Sequence, residues 1–288
     1  MAKYQGELAL FWVTLLAAFG WFASKFAIAE LPPAGFLAIR FGVAAALFLP
    51  FSHGAIRSLN RIQWRHALAV GGAFSANIFL WIQAITHSQH FGEGAFLMSL
   101  SLLIAPLLSW LLFGNRPIPM FWLSLALAIL GVYALNAGKP LAQFSFSSGL
   151  FAASSLMGAC FFVLNNQYAK NVPTLALATV QLACAGVVCG AYSLLFESWQ
   201  SAVSVQTWLW VAVSILLITN FRYFLQTWGQ KLCPIGNAAM IMILEPVWTV
   251  LLSVWLLNEI LTWQKILGGS LILLALVVYR VPLKMRST

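Results

Sequence analysis

The segments NIFLWIQ (Asn77–Gln83) and NFRYFLQ (Asn220–Gln226) lie about 143 residues apart and carry Asn and Gln at the same spacing within apolar sequence. The same offset relates Asn115 to Asn258. This pattern indicates an internal duplication. If each copy crosses a membrane five times, which is an odd number, the second copy begins on the opposite face from the first. An inverted repeat of this kind is typical of secondary transporters.

The composition predicts an all-α integral membrane protein. Hydrophobic residues make up 62% of the chain and charged residues only 7%, and the mean hydropathy is +0.91, so water cannot solvate most of the surface. A helical span needs roughly 20 residues, and this length predicts ten transmembrane helices in two inverted five-helix repeats. The predicted spans are 8–28, 34–51, 67–86, 95–114, 119–136, 149–169, 174–196, 208–228, 236–257 and 262–280.

The stretch AGKPLAQFSFSS at 137–148 mixes Gly, Pro, Ser and a charge between two apolar runs, which is typical of a boundary. It divides the chain into a first five-helix repeat at 1–140 and a second at 141–288, which together form one transport domain. We expect the basic connection at 52–65 to form a short helix on the membrane surface. Pro106 and Pro246 lie within predicted spans, where they should kink or break the helix.

The net charge of +9 is explained by membrane topology, without nucleic acid as a partner. The cations collect on one side of the predicted bundle, which is the cytoplasmic side of a bacterial inner membrane by the positive-inside rule. This places both termini in the cytoplasm. The predicted partners are the lipid bilayer and a small-molecule substrate, either an amino acid or an amphipathic metabolite. A monomer is the expected form, although the sequence leaves the oligomeric state open. The cytoplasmic cations are Lys3, Arg57, Arg61, Arg65, Arg116, Lys170, Lys231, Arg280, Lys284 and Arg286.

Several enzyme classes are excluded because all six acidic residues are Glu and the chain has no Asp. Aspartyl proteases, aspartyl-phosphate pumps and Asp-rich magnesium sites need residues that are absent. The sequence also has no Walker A, HExxH or GxSxG motif. The four cysteines show no CxxC spacing, so we predict no disulfide, no metal site and no cofactor.

Two stretches carry a family resemblance: AFGWFASKFAIAELPPAGFLAIRF at 18–41 and LEPVWTVLLSVWLLNEILTWQKILGGSLIL at 244–273. The second resembles the E-P, N-E and G-G pattern of the EamA-type branch of the drug/metabolite transporter superfamily. Within that branch the chain is most similar to the YddG-type aromatic amino acid exporters. The first half departs from the pattern, because it carries Asn115-Arg116 where the second carries Asn258-Glu259. The resemblance implies ten helices in two inverted halves, alternating access, and export of amino acids or similar small amphipathic molecules without ATP.

Polar side chains at membrane depth should face a cavity or each other, since an unsatisfied polar group in hydrocarbon is costly. Aromatic faces suit an apolar side chain or a cation, and amides suit the polar groups of a zwitterion. We therefore predict a substrate pocket near the bilayer midplane. The alternative is that these rings and amides only pack helices together. The predicted pocket residues are Trp21, Asn77, Trp81, Phe96, Ser99, Phe162, Asn165, Tyr223 and Met242.

Glu245 is the one acid predicted at mid-span depth, and it precedes Pro246. It could carry a proton in antiport, or it could be a fixed partner of Arg40, Lys25 or Arg222. The fixed-partner interpretation is favoured because the intramembrane bases outnumber this acid.

Three functional hypotheses follow from the sequence. The leading one is a secondary transporter that exports amino acids, aromatic ones favoured, and similar small amphipathic molecules. A transporter of the same fold for nucleotide-sugars, sugar phosphates or lipophilic cations is the alternative; phosphates are disfavoured because Lys25, Arg40 and Arg222 are scattered over different helices. A membrane-embedded enzyme or receptor is less favoured, because it predicts no internal inverted symmetry.

Overall fold

The computed structural model describes residues 4–87, 91–136, 146–200, 202–257 and 263–280, and these residues form eleven helices and their connections, with no β-strand among them. Within α8, residues Ser214–Phe221 are π-helical and separate the α-helical stretches Val205–Val213 and Arg222–Leu232. The helices are α1 (Gln5–Ala27), α2 (Pro33–Arg57), α3 (Arg61–Thr86), α4 (Phe91–Phe113), α5 (Pro119–Asn136), α6 (Phe146–Tyr168), α7 (Thr174–Phe196), α8 (Val205–Leu232), α9 (Ile235–Met242), α10 (Glu245–Leu257) and α11 (Trp263–Arg280).

Six helices in the described part are long and apolar enough to cross a membrane, namely α1, α2, α3, α6, α7 and α8. Their lengths run from 23 to 28 residues, against the roughly 20 that a crossing needs. Large apolar side chains such as Leu111, Leu194 and Phe51 are about 80% exposed, as expected where acyl chains replace water. The chain is therefore a multi-pass, all-α membrane protein. The count of ten crossings stays a prediction.

The most extensive helix contacts join the two predicted halves: α2 packs against α7, α5 against α11, α3 against α6, and α1 against α8. Each pair takes one helix from the first half and one from the second, so the halves interlock along their length. The predicted boundary between 140 and 141 lies outside the described residues.

Helices α2 and α7 cross at two glycines, Gly42 and Gly186. A Cβ added to Gly186 would lie 2.8 Å from the backbone nitrogen of Gly42 and 2.9 Å from its Cα. Helices α1 and α8 cross in the same way near Gly6 and Gly229, where a Cβ on Gly229 would lie 3.0 Å from the Gly6 oxygen. Small residues let helix backbones approach closely where lipid removes the hydrophobic drive between helices.

Two glutamates join the α1–α2 connection to the α7–α8 connection. Glu197 accepts hydrogen bonds from the backbone N–H groups of Ala34 (2.9 Å) and Gly35 (2.8 Å), one at each carboxylate oxygen. The first N–H groups of a helix have no partner within it, so Glu197 caps α2 from a distant connection.

Glu30 makes the reciprocal contact, because its Oε2 accepts a hydrogen bond from the backbone N–H of Ser204 at 2.7 Å. This bond favours the charged carboxylate and lowers the pKa of Glu30 below its usual 4.5. A lowered pKa means that the contact stabilises the fold above about pH 4.5 and that this contribution is lost as the pH falls through the lowered value.

We expect Glu197→Gln to lower the free energy of unfolding by about 1 kcal/mol, because one carboxylate oxygen becomes an NH2 group that cannot accept from the α2 N-terminus. The apparent melting temperature in detergent should fall by a few degrees. Gln200, which is exposed on the same connection, supplies the control Gln200→Ala. Equal melting temperatures for both variants would contradict a capping role for Glu197.

The predicted surface helix at 52–65 is wrong. Helix α2 continues to Arg57 and α3 begins at Arg61, so only a short connection remains. Asn60 ends that connection with a capping box, in which its Oδ1 accepts from Gln63 N (2.8 Å) and its own N–H donates to Gln63 Oε1 (3.0 Å). The polar, basic residues extend two long helices.

The predicted span at 236–257 is two helices, α9 and α10, separated by Ile243 and Leu244. Pro246 has no N–H to donate to the Met242 carbonyl one turn earlier, so the helix is interrupted just before it. The Val247 N–H bonds to Leu244 O, three residues earlier, and regular α-helical bonding resumes with the Trp248 N–H, which bonds to the same oxygen. Pro106, by contrast, lies inside the continuous helix α4.

Candidate functional site

A cavity of about 150 Å³ lies between α1, α2, α3, α4, α6, α8, α9 and α10, so both halves build its wall. An apolar cavity of about this volume can hold one benzene-sized ring. The lining residues are Ala17, Gly20, Trp21, Ser24, Arg40, Phe41, Phe74, Asn77, Ile78, Trp81, Met98, Ser101, Leu102, Gly158, Phe161, Phe162, Arg222, Tyr223, Gln226, Met242, Glu245 and Thr249.

Aromatic rings that contact one another form much of this wall. Trp21 and Trp81 meet edge to face, with ring centroids 5.3 Å apart and an interplanar angle of 84°. The ring centroid of Phe74 lies 5.0 Å from that of Phe161 and 4.9 Å from that of Tyr223. These contacts fix the rings and leave a surface suited to another aromatic group.

Asn77 joins α3 to α6 at the cavity wall. Its Nδ2 donates to Ser154 O (2.8 Å) and lies 3.2 Å from Ser154 Oγ, while Ser154 Oγ donates to Asn77 O (2.8 Å). A Cβ on Gly158 would lie 2.8 Å from Asn77 Nδ2, so a glycine is needed for this approach. Asn77 therefore packs two helices together and also lines the cavity.

Arg40 is 4% exposed and is held by two hydroxyl groups. Its Nε donates to Thr219 Oγ1 (2.6 Å) and its Nη1 donates to Ser24 Oγ (3.0 Å). Thr219 lies in the π-helical segment and donates in turn to Ser214 O, five residues earlier. The guanidinium also lies 5.3 Å from the centre of the Phe41 ring. The π-helical segment therefore positions one of Arg40's two hydroxyl partners.

Arg222 and Glu245 place opposite charges on the same wall. Arg222 lies close enough to interact electrostatically with both Glu245 and Arg40. Its guanidinium carbon lies 4.8 Å from the Tyr223 ring centre, and Nη1 donates to Tyr223 Oη at 3.3 Å. Glu245 Oε1 accepts a hydrogen bond from Trp21 Nε1 at 3.1 Å.

Six of the nine predicted pocket residues line this cavity, namely Trp21, Asn77, Trp81, Phe162, Tyr223 and Met242. Three of the four predicted charged residues line it as well, namely Arg40, Arg222 and Glu245. Lys25 is exposed in the last turn of α1, away from the cavity. Asn165 is fully buried but does not line the cavity. The side chains of Phe96 and Ser99 lie outside the described part of the structure.

Asn165 instead belongs to an amide cluster that joins α6 to the end of α8. Its Nδ2 donates to Gln230 Oε1. The neighbouring Asn166 donates to Gln230 O (2.7 Å) and Cys233 O (3.0 Å). These bonds hold α6 against the junction of α8 and α9, where α1 also crosses α8 closely.

The repeated Asn and Gln are used differently in the two halves. Asn77 lines the cavity and Gln83 does not, whereas Gln226 lines it and Asn220 does not. Asn220 lies in the π-helical segment. Because π geometry changes the number of residues per turn, the side chains after it are rotated relative to those of a continuous α-helix.

Phe74, Phe161 and Gln226 line the cavity but were not among the predicted pocket residues. Helical periodicity could have identified Phe74, which lies three residues before Asn77 and seven before Trp81 and so shares their helix face. Phe161 is adjacent to the predicted Phe162. Arg40's partners Ser24 and Thr219 left no comparable signal.

Comparisons with known proteins agree with this architecture. The model of the EamA-like transporter family matches residues 4–137 and again residues 146–281. An uncharacterized transporter of Archaeoglobus fulgidus is 24% identical over 280 residues, covering 96% of this chain and 86% of its own length. A second uncharacterized transporter of that organism is 25% identical over 167 residues, 58% of this chain and 59% of its own. A solved crystal structure shares the fold with a TM-score of 0.79 at 17% identity, covering 97% of this chain and 96% of its own.

Proposed function

Because the chain belongs to the EamA-like transporter family, we propose that this membrane transporter exports amino acids, aromatic ones favoured, and similar small amphipathic molecules from the cytoplasm across a bacterial inner membrane. The observation that carries this proposal is the cavity itself. It places the Trp21–Trp81 pair beside amide and charged groups. Aromatic faces suit an aromatic side chain, and the polar groups suit a zwitterion.

The proposed mechanism is alternating access between two inverted five-helix halves, 1–140 and 141–288, with both termini in the cytoplasm. Two features support it. The family model matches the chain twice, and the largest helix contacts pair one half with the other. Halves that interlock around one cavity can open it to either face by tilting against each other. A monomer contains the whole cavity and is the form we propose.

A second candidate cargo is an anion without an amino group, such as a sugar phosphate. The scatter of cations over different helices argued against it in the sequence. The structure brings Arg40 and Arg222 to the same cavity, which removes that argument. Lipophilic cations gain less support, because Glu245 is the one acid among the described lining residues and it already accepts from Trp21.

Counterflow in liposomes that contain only this protein tests the proposal. We expect labelled tryptophan and phenylalanine to exchange fastest, threonine slower, and methyl viologen and glucose 6-phosphate not above protein-free liposomes. Exchange of glucose 6-phosphate without exchange of amino acids would support the second candidate. If monodisperse protein exchanged none of these compounds, the proposed export of amino acids would be wrong.

We expect Glu245→Gln to leave the pH dependence of tryptophan transport unchanged, because the contacts of Glu245 favour a fixed role. Gln can still accept the hydrogen bond from Trp21 Nε1. The measurement is tryptophan uptake with and without an imposed pH gradient, in wild type and in Glu245→Gln. Loss of a gradient-driven component in the variant alone would indicate proton coupling through this carboxyl group.

A further inference from the structure

We propose that Arg40 and Arg222 form a carboxylate subsite in the cavity, so that a ligand must carry a carboxylate to bind well, whereas its amino group is dispensable. This deepens the proposed function and rests on it where transport is measured. The site thereby recognises the acidic end of an amphipathic molecule.

Two hydroxyl groups hold the guanidinium of Arg40. Ser24 Oγ donates its hydrogen to Gly20 O (2.7 Å), and Thr219 Oγ1 donates its hydrogen to Ser214 O (2.7 Å). Each hydroxyl has one hydrogen, so toward Arg40 both act only as acceptors. The guanidinium is thereby fixed in place in advance, as a binding group needs to be.

The charges of the described lining residues do not balance. Both described partners of Arg40 are neutral hydroxyls, so neither neutralises a guanidinium that is 4% exposed. Among the described lining residues Glu245 is the one acid, against the cations Arg40 and Arg222. A buried charge without a counter-ion is costly. A ligand anion supplies the missing charge.

Arg222 keeps an unused hydrogen-bond donor. The Nε of Arg222 is buried and has no partner among the described residues. A planar guanidinium with free donors matches a carboxylate in geometry as well as in charge.

Glu245 connects this subsite to the aromatic pair. Its Oε1 is bonded to Trp21, which meets Trp81 edge to face, and its charge is near Arg222. A ring against the tryptophans therefore has its acidic substituent within reach of the guanidinium groups. An aromatic carboxylate fits this arrangement, whereas an aromatic amine adds a third cation beside the two arginines.

The ligand test uses four indole compounds and a phosphate on purified protein. Indole-3-propionate carries the carboxylate alone, tryptamine the amine alone, tryptophan both and indole neither. We expect indole-3-propionate and tryptophan to raise the melting temperature and tryptamine to be at least about tenfold weaker. Glucose 6-phosphate should give no shift. Equal binding of tryptamine and tryptophan, or a shift by glucose 6-phosphate alone, would overturn the carboxylate subsite.

The variant test is Arg222→Gln, with Arg222→Lys as the conservative variant. Arg222→Gln should weaken indole-3-propionate at least about tenfold and leave indole unchanged, since the loss of a charge-assisted hydrogen bond affects only the anion. Arg222→Lys should recover part of the loss. Arg65→Gln, at an exposed position at the start of α3, is the matched control. Equal weakening of indole and indole-3-propionate would show a merely structural role for Arg222.

The two proposals fail separately. Carboxylate-dependent shifts without tryptophan counterflow would contradict amino acid export and leave the subsite standing. Tryptophan counterflow that tryptamine inhibits as well as indole-3-propionate does would contradict the subsite and leave export standing.

Discussion

Trp81→Ala should reduce tryptophan counterflow between about tenfold and a hundredfold while the protein remains folded. Trp81 lines the cavity, is 8% exposed, and meets Trp21 edge to face. Its removal takes away ring contact area and the edge contact, which together correspond to about 1.5–3 kcal/mol. It also frees Trp21, whose indole N–H holds Glu245. Initial counterflow rates in liposomes with equal amounts of protein measure the effect.

Two variants separate this effect from loss of fold. Trp12 lies on α1 and is 50% exposed, so Trp12→Ala removes the same side chain away from the cavity and should transport normally. Trp81→Phe should keep an intermediate rate, because a smaller ring still reaches Trp21. Normal transport by a monodisperse Trp81→Ala protein would remove Trp81 from the site.

Gly186→Ala should strongly destabilise the protein, although it adds one methyl group. The new Cβ would lie 2.8 Å from the backbone nitrogen of Gly42, and a backbone cannot move aside as a flexible side chain can. Forcing α2 and α7 apart should cost about 1–3 kcal/mol or more, which exceeds the gain of about 1 kcal/mol from alanine's higher helix propensity. The expected result is a lower melting temperature and less monodisperse protein in detergent.

Gly42→Ala is the matched control, since it changes the same type of residue on the other side of the same crossing. No atom lies within 4 Å of a Cβ built on Gly42. Only the helix propensity then changes, so this variant should be as stable as wild type or slightly more stable. If both variants had the same melting temperature, the close approach at Gly186 would not limit the packing of α2 and α7.

Local sequence signals predict much of the fold. The predicted bounds of α5 and α7, at 119–136 and 174–196, match the observed helices, because a polar or proline-containing connection ends each apolar run sharply. Where the polar sequence is itself helical, as around Arg57 and Arg61, hydropathy predicted the end of α2 and the start of α3 wrongly. A capping box such as that of Asn60 and Gln63 is readable from sequence and would have corrected α3.

Residues of the cavity wall could be predicted from sequence where one helix face carries them, as for Asn77 and Trp81. Contacts that depend on a distant element could not be read from local pattern. Arg40 meets Thr219 across 179 positions of chain, and Glu197 caps α2 from 162 positions away. Asn165 was assigned to the pocket because it is polar and buried, but its register along α6 takes it one turn beyond Phe161 to Gln230. Polarity alone does not tell which neighbour satisfies an amide.

The π-helical turns of α8, at Ser214–Phe221, contain more residues than an α-helix of equal length. This segment can therefore lose a residue without becoming shorter. Removing one residue between Ile215 and Leu217 would let the backbone relax to ordinary i→i+4 bonding, a change that most helices could not absorb. The side chains downstream, from Arg222 to Gln226, would keep their direction, because the wide turn already accommodates the extra residue. Loss of one residue at this place is therefore a change in length that leaves the cavity wall intact.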